Sequence, residues 1–382
     1  MQGLVIVDQG LEETAILELK ELINAKASIL EPCVVEFPIK KTQDLRVVCY
    51  KAQSVRHVLL LLSKAPCKPD FNQLAKVSEK LVKEVDWKEW VKKDHSFKCV
   101  AEHLEETDFN SMDMEKEVGG HIFDALKSLK LAPKVNLKTA DLSVFSVLGK
   151  KDLYLGIDFA GRDLSKRSYK IYHHASALKG TLGYGVVRFS GFKPGQVLID
   201  PFAGSGIIPI EAALFTSGFS VNHFSKEFAF QALEGLKMDE KEFEALEKVN
   251  ESLPVQGADH LLMHIKSAQN NAKIAGVDKW TKFSKGEVEW MDTQFKKVSV
   301  DHIVTHPPEP SQQMNEKDVE KVYREFFYQA DFILKKEGSI TALVTKKSLF
   351  LKMAQEKKFV VNQEKKVWSG KMMYHMLRLG RA

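Results

Sequence analysis

Long apolar runs are missing from this 382-residue chain, and so is a marked excess of either charge. No stretch approaches the roughly 18 apolar residues of a membrane span, so no membrane partner is expected. Lys and Arg exceed Asp and Glu by five, 56 against 51, which permits nucleic-acid binding without demanding it. The four cysteines, Cys33, Cys49, Cys67 and Cys99, have no close pairs. That argues against a zinc site and suits reduced thiols in a cytoplasm. The start, MQGLVIVDQGLEET, lacks a basic region and reaches an acid at Asp8, unlike a signal peptide. Internal repeats and low-complexity segments are absent too. What is left is an ordinary soluble composition, 44% hydrophobic and 28% charged, long enough for two or three domains.

The most informative stretch is 197–214, VLIDPFAGSGIIPIEAAL. A short apolar strand breaks at Asp200-Pro201 and turns through Phe202-Ala203-Gly204-Ser205-Gly206. It then continues with apolar residues at helical spacing. Strand, glycine turn and helix together make a nucleotide-sized pocket at the carboxyl end of a parallel sheet. Gly204 and Gly206 have no Cβ, so a ligand can approach the backbone and positive φ is cheap. Asp200 faces that ligand as a negative charge, which repels phosphate but suits an ammonium or ribose hydroxyls. This favours S-adenosylmethionine over a nucleoside triphosphate. No lysine follows the glycines, so the phosphate-loop pattern fails, and a third glycine is missing for a dinucleotide. A glycine turn in an unliganded α/β fold is the plain alternative.

In chain order, 3–7 reads as a strand, 12–23 as a helix, 33–39 and 45–50 as strands and 54–62 as a helix. This β-α-β-β-α order is that of a ferredoxin-like α+β unit. A helix over 72–85, a strand at 97–101, a helix over 114–129, an extended 135–137 and a hairpin of 142–148 with 153–159 follow. A helix over 176–188 leads into the glycine turn, and 226–251 reads as a charged helical insertion. Strands at 253–257, 280–284, 298–305 and 339–344 alternate with helices at 261–275 and 319–334. That alternation predicts a doubly wound sheet, closed by a hairpin of 359–368 with 372–379.

With 197–199 counted as the first strand of that sheet, Asp259 stands at the end of the second, Glu287 after the third and His306-Pro307-Pro308 after the fourth. Taken singly, each has a bland reading: an N-cap acid, a solvated glutamate, a rigid proline loop. His173-His174, His260 and His264 invite a metal reading, but no third ligand accompanies the i, i+4 pair, and no metal is implied. Arg167, Tyr169 and Lys170 read equally as RNA or cofactor contacts and as a solvated basic linker.

The order of motifs resembles the THUMP-domain RNA methyltransferases, over nearly the whole chain. FKCVAEHLEETDFNSMDMEKEVGGHI with KVNLKTADLSVFSV is similar to the THUMP pattern, and RSYKIYHHASALKG to the linker that enters the catalytic domain. DPFAGSGIIPIEAAL is the most specific match, to D-P-x-x-G-S-G-T-x-x-I-E-A-A. GADHLLMHIKSAQNNAKIAG is similar to the family's G-x-D … N-A-x-x-A-G segment. The resemblance implies a ferredoxin-like domain at 1–64, a THUMP domain at 65–162, a linker and leading helix at 163–190 and a Rossmann-like methyltransferase domain at 191–382. It implies methyl transfer from S-adenosylmethionine to the exocyclic N2 of a guanine in structured RNA, a tRNA for the archaeal members, with no DNA partner. It also implies that 200–206 hold the cofactor, Asp259 its ribose and Glu287 its adenine amine. His306-Pro307-Pro308 would hold the target amine.

Two departures stand out. The family writes N/D-P-P-Y/F where this chain has His306-Pro307-Pro308-Glu309. An Asn or Asp oxygen there accepts from the target amine; a His does so only when neutral and in the right tautomer. Glu309 cannot stack on a base. The expected THUMP strand carries Glu102, His103, Glu105 and Glu106 where basic residues would meet RNA phosphates. These departures open a second reading, a catalytically degenerate paralogue that binds RNA or a protein partner.

Overall fold

The computed structural model describes residues 1–172, 178–251 and 253–382. The chain forms two compact units. The first holds Met1–Val7, Ala15–Leu164 and Lys226–Leu246, the second Asp8–Thr14, Ser165–Ser225 and Glu247–Ala382. His173 and His174, and the first two residues of the helix expected at 176–188, lie outside the described residues. No helix among the described residues is long and apolar enough to cross a membrane.

The first unit runs β1 (Gln2–Val7), α1 (Glu12–Ile23), β2 (Ser28–Glu31), β3 (Val34–Pro38), α2 (Gln43–Lys51) and β4 (Val55–Pro66). It continues with α3 (Phe71–Glu84), β5 (Ser96–His103), α4 (Ser111–Ser128), β6 (Lys134–Val135), β7 (Leu142–Leu148) and β8 (Asp152–Asp158). One sheet of order β2-β3-β1-β4-β8-β7-β5-β6 joins the ferredoxin-like and THUMP segments.

Two expectations invert here. Residues 45–50 are not a strand but lie in α2, and the helix expected at 54–62 is absent, 55–62 lying in β4. Leu45, Val48 and Cys49 stand at i, i+3, i+4 and are buried, so the helical period overrides their β-branched neighbours. The apolar run of β4 pairs with β1 on one side and β8 on the other, which makes it a central strand. The corrected β-α-β-β-α-β order is the complete ferredoxin-like unit.

The second unit opens with α5 (Gly180–Phe189), β9 (Leu198–Asp200) and α6 (Ile207–Ser217). The expected charged helix at 226–251 is mostly irregular, a 3-10 turn at Ala229–Ala232 and α7 (Glu240–Leu246). Its aromatic residues explain why. Phe228, Phe230 and Phe243 are buried in the first unit's core, where Phe243 meets Tyr50 and Phe230 meets Phe159.

The second unit then alternates through β10 (Val255–Asp259), α8 (Leu262–Ala275), β11 (Thr281–Lys285), α9 (Met291–Gln294), β12 (Val300–Thr305) and α10 (Glu316–Ile333). It ends with β13 (Leu334–Val344), α11 (Lys347–Glu356), β14 (Phe359–Ser369) and β15 (Met372–Arg381). Sheet order is β11-β10-β9-β12-β13-β15-β14, with β15 antiparallel to both its neighbours and the other pairs parallel. Strand order reverses between β9 and β12, so a crevice opens there at the carboxyl ends of the strands.

Candidate active site

The glycine turn lies at that crevice. Gly204 and Gly206 have φ of 53° and 85°, the left-handed region that side chains disfavour. A Cβ on Gly206 would come within 2.9 Å of Ala268 Cβ, so α8 packs directly against the turn. The turn is closed by hydrogen bonds from Ala203 N–H to the Ala258 carbonyl (2.9 Å) and from Gly206 N–H to the Ala203 carbonyl (2.8 Å). Ser205 is buried, and its hydroxyl oxygen has no partner among the described residues. An orphaned hydroxyl in a cradle that a side chain would fill fits a small polar ligand such as S-adenosylmethionine.

Two carboxylates line the turn. Asp200 is buried and accepts from the Thr305 hydroxyl (2.6 Å) and from Phe202 N–H (3.1 Å). Burial pushes its pKa up to about 7; the Thr305 and Phe202 bonds oppose this, and the charge of Asp259 adds to it. Asp259 ends β10, where its Oδ2 accepts from Gly204 N–H (3.0 Å) and its Oδ1 from Leu261 N–H (2.9 Å). The ring Nδ1 of His264 lies 3.0 Å from the same Oδ1. Asp259 therefore braces the glycine turn from the carboxyl end of β10. Glu287 is exposed just beyond β11, and its loop is tied to β10 by Gly286 N–H donating to the Asp259 carbonyl (3.1 Å).

A buried framework supports this side from behind. The Arg167 guanidinium donates to both Glu211 oxygens (2.7 and 3.1 Å), and the Tyr169 hydroxyl donates to one of them (2.7 Å). Arg167 and Glu211 are almost fully shielded from solvent, so neither the RNA-contact nor the solvated-linker reading of Arg167 and Tyr169 holds. Lys170 is also drawn inward, donating to the Leu178 carbonyl (2.7 Å). Asn271, fully buried on α8, accepts from Tyr172 N–H (3.1 Å) and donates to the carbonyls of Tyr172 (2.7 Å) and Ser205 (3.0 Å). An amide is one of the few side chains able to accept and donate in this way.

The second side of the crevice is the His306-Pro307-Pro308-Glu309 loop after β12. The His306 ring Nδ1 lies 2.7 Å from the Leu343 carbonyl, which can only accept, so Nδ1 carries the proton. In the neutral ring Nε2 is then the acceptor, and no described residue pairs with it. The Tyr374 ring stands edge-on to His306, centroids 5.8 Å apart. Pro307 is buried, and the Pro308 carbonyl accepts from the Tyr323 hydroxyl (2.6 Å). Glu309 turns away from His306. Its carboxylate accepts from Thr345 N–H (2.9 Å), Lys346 N–H (2.8 Å) and the Thr345 hydroxyl (2.9 Å), clamping the turn after β13.

The structure thus brings 200–206, Asp259 and His306 to one end of one sheet, with Glu287 at the β11 end. Thr305, His264, Asn271 and Tyr374 were missed by sequence reasoning. The position of Asn271 in the N-A-x-x-A-G segment and the spacing of His264 from Asp259, one helical turn into α8, were the available signals. Tyr374 had none, because strand pairing across β13 brings it there. In the first unit, Glu102 and His103 lie in β5 but Glu105 and Glu106 fall beyond its end, and Arg56 donates to Glu102 at 2.6 Å. No group of three or more potential metal ligands is gathered among the described residues.

Sheet order, the switch-point crevice and a glycine turn flanked by carboxylates define the doubly wound methyltransferase class. The chain belongs to the RMKL-like methyltransferase domain family, whose model matches residues 167–375. A THUMP domain matches 78–158. The chain is 27% identical over 307 residues to a tRNA (guanine(6)-N2)-methyltransferase of Methanocaldococcus jannaschii, covering 78% of this chain and 80% of that protein. It is 29% identical to the protein of the same name from Archaeoglobus fulgidus, over 69% of this chain and 64% of that one. Among solved structures, TrmN from Thermus thermophilus aligns over 100% of this chain and 99% of its own, with a TM-score of 0.73 at 20% identity.

Proposed function

We propose that the protein is a cytoplasmic S-adenosylmethionine-dependent tRNA methyltransferase that methylates the exocyclic N2 of a guanine. The two archaeal relatives bear that name, and their substrate is carried over to this chain on the site's chemistry. The observation that carries the reading is His306: its Nδ1–H is committed to the Leu343 carbonyl, which leaves Nε2 as an acceptor at the carboxyl end of β12, the strand next to β9. The cofactor, when bound, supplies an electrophilic methyl on a sulfonium.

Accepting that methyl would leave the substrate nitrogen with one proton to lose. His306 Nε2 accepts from the N2–H, aims the nitrogen lone pair, and can take the released proton. Asp200, Ser205 and Asp259 hold the cofactor's polar groups, Glu287 its adenine amine, and Pro307-Pro308 keep the His306 backbone rigid. Catalysis is then chiefly positioning. Residues 65–162 serve as the RNA platform.

The alternative, an inert RNA- or partner-binding paralogue, drew on the His306 replacement, a glutamate charge in the base pocket and an acidic THUMP strand. The four hydrogen bonds from Thr345 and Lys346 hold the Glu309 carboxylate against the turn after β13, which speaks against the second of these. The test is incubation of unmodified tRNA transcripts with isotope-labelled cofactor, followed by nucleoside mass spectrometry. N2-methylguanosine in one transcript is the expected product. Cofactor binding without methyl transfer to any transcript would favour the inert paralogue.

A further inference from the structure

The β14–β15 hairpin overshoots the sheet that it closes. His306 follows Thr305, which pairs with Ala342, so His306 is level with Leu343 and, across the next strand, with Met376. β13 ends at Val344, opposite His375, but the β14–β15 ladder continues through Val367–Tyr374 and Trp368–Met373 to Ser369–Met372. From Met376 to Lys371 at the tip is five residues, about 16 Å at the usual strand rise. A two-stranded arm therefore stands beside His306 at the substrate end of the crevice. Its outer strand is braced by Trp368 N–H donating to the Gln9 carbonyl (2.9 Å).

The composition of this arm is one-sided. From Lys365 to Ala382 the chain holds Lys365, Lys366, Lys371, Arg378 and Arg381 and no Asp or Glu. Lys365 pairs with Glu13 and Arg381 with Asp331. Lys366 and Lys371 are exposed and have no ion-pair partner among the described residues. Met372 is 53% exposed at the tip. A ribbon with exposed cations and an apolar tip suits a polyanion that also offers flat apolar surfaces.

We propose that this arm is a substrate-RNA contact: Lys366 and Lys371 take phosphates of nucleotides flanking the target guanine, and Met372 packs on an adjacent base. The inference rests on the RNA-methyltransferase reading and adds a second RNA surface, on the catalytic unit itself. A base drawn out of its stack for chemistry leaves its flanking phosphates at the rim of the site, the level this arm reaches.

The test compares wild type with Lys366→Gln/Lys371→Gln, measuring affinity for a fluorescent unmodified tRNA transcript across a salt series, with calorimetry of S-adenosylmethionine as the control. Two lost phosphate contacts should lower the magnitude of the log–log salt slope by about 1.4 for unstacked strands. The affinity gap between the proteins should then narrow about sevenfold from about 50 to about 200 mM salt, with cofactor binding equal in both. Identical slopes in two proteins that both bind RNA would overturn the inference and leave the methyltransferase reading standing. Wild type that binds the cofactor but no RNA at any salt would overturn both.

Discussion

The two sides of the crevice solve the same problem differently. Around Asp200–Gly206 the work is done by the backbone: positive φ at two glycines, N–H groups bonded within the turn, and a neighbouring carboxylate on Gly204 N–H. Around His306 it is done by a side chain whose hydrogen-bonding polarity is set by a carbonyl from the next strand. Backbone geometry demands particular residues, so the glycine side keeps its sequence pattern. An acceptor can come from several side chains, so the His306 side tolerates a different one. Glu309 carries the lesson further, since what stands in place of an aromatic has become the clamp of a neighbouring turn.

The largest effect should come from breaking the backbone side. Gly206→Val forces a β-branched residue to φ of 85° and drives its Cβ against Ala268. Cofactor binding by calorimetry should be abolished; normal binding would mean the turn is not the site. Next is the framework behind it. Arg167→Met leaves Glu211 buried without its cation and should cost about 3–5 kcal/mol in denaturant unfolding, whereas Arg167→Met/Glu211→Leu should recover most of that. Equal losses in the single and double variants would contradict a buried ion pair.

A subtler test uses Asp200, whose carboxyl sits at about 7 when buried without a cation. Cationic cofactor needs the ionised form, so affinity should rise about tenfold from pH ~6 to ~8 and lose that dependence in Asp200→Asn. The folded pKa is raised above the unfolded value, so the group's contribution to stability is present at low pH. It is lost as pH rises through about 7, and the ligand-free protein should weaken over that window. A pH-independent affinity in wild type would show that Asp200 does not meet the cofactor's charge. The smallest effect belongs to Glu309. Glu309→Gln weakens charge-assisted bonds to the turn at 345–346 and should cost about 1–2 kcal/mol. Methylation at a permissive temperature should be little changed, and a large loss of activity with intact stability would return Glu309 to the substrate site.

The sequence made the catalytic half legible because its signals are local: D-P-F-A-G-S-G names its own turn, and strands alternating with helices name the sheet. It misled at 45–62, where a helix rich in Val and a strand rich in Leu carry each other's usual composition. Partners on the glycine side were half visible, since Asp259 and Asn271 fall in recognisable segments while His264 looked like surface. The inward turn of Arg167 and the pairing of His306 with Leu343 and Tyr374 were invisible. They depend on which strands become neighbours, which no local window contains.

The most direct measurement is single-turnover methylation of tRNA at saturating cofactor by wild type, His306→Asn and His306→Leu, with calorimetry of the cofactor as the control. An amide offers a carbonyl oxygen as acceptor, whereas an alkyl side chain offers none. His306→Leu should lose most of the wild-type rate and His306→Asn should keep or exceed it, with equal cofactor affinity in all three proteins. Equal rates in His306→Leu and wild type would show that His306 does not orient the substrate amine.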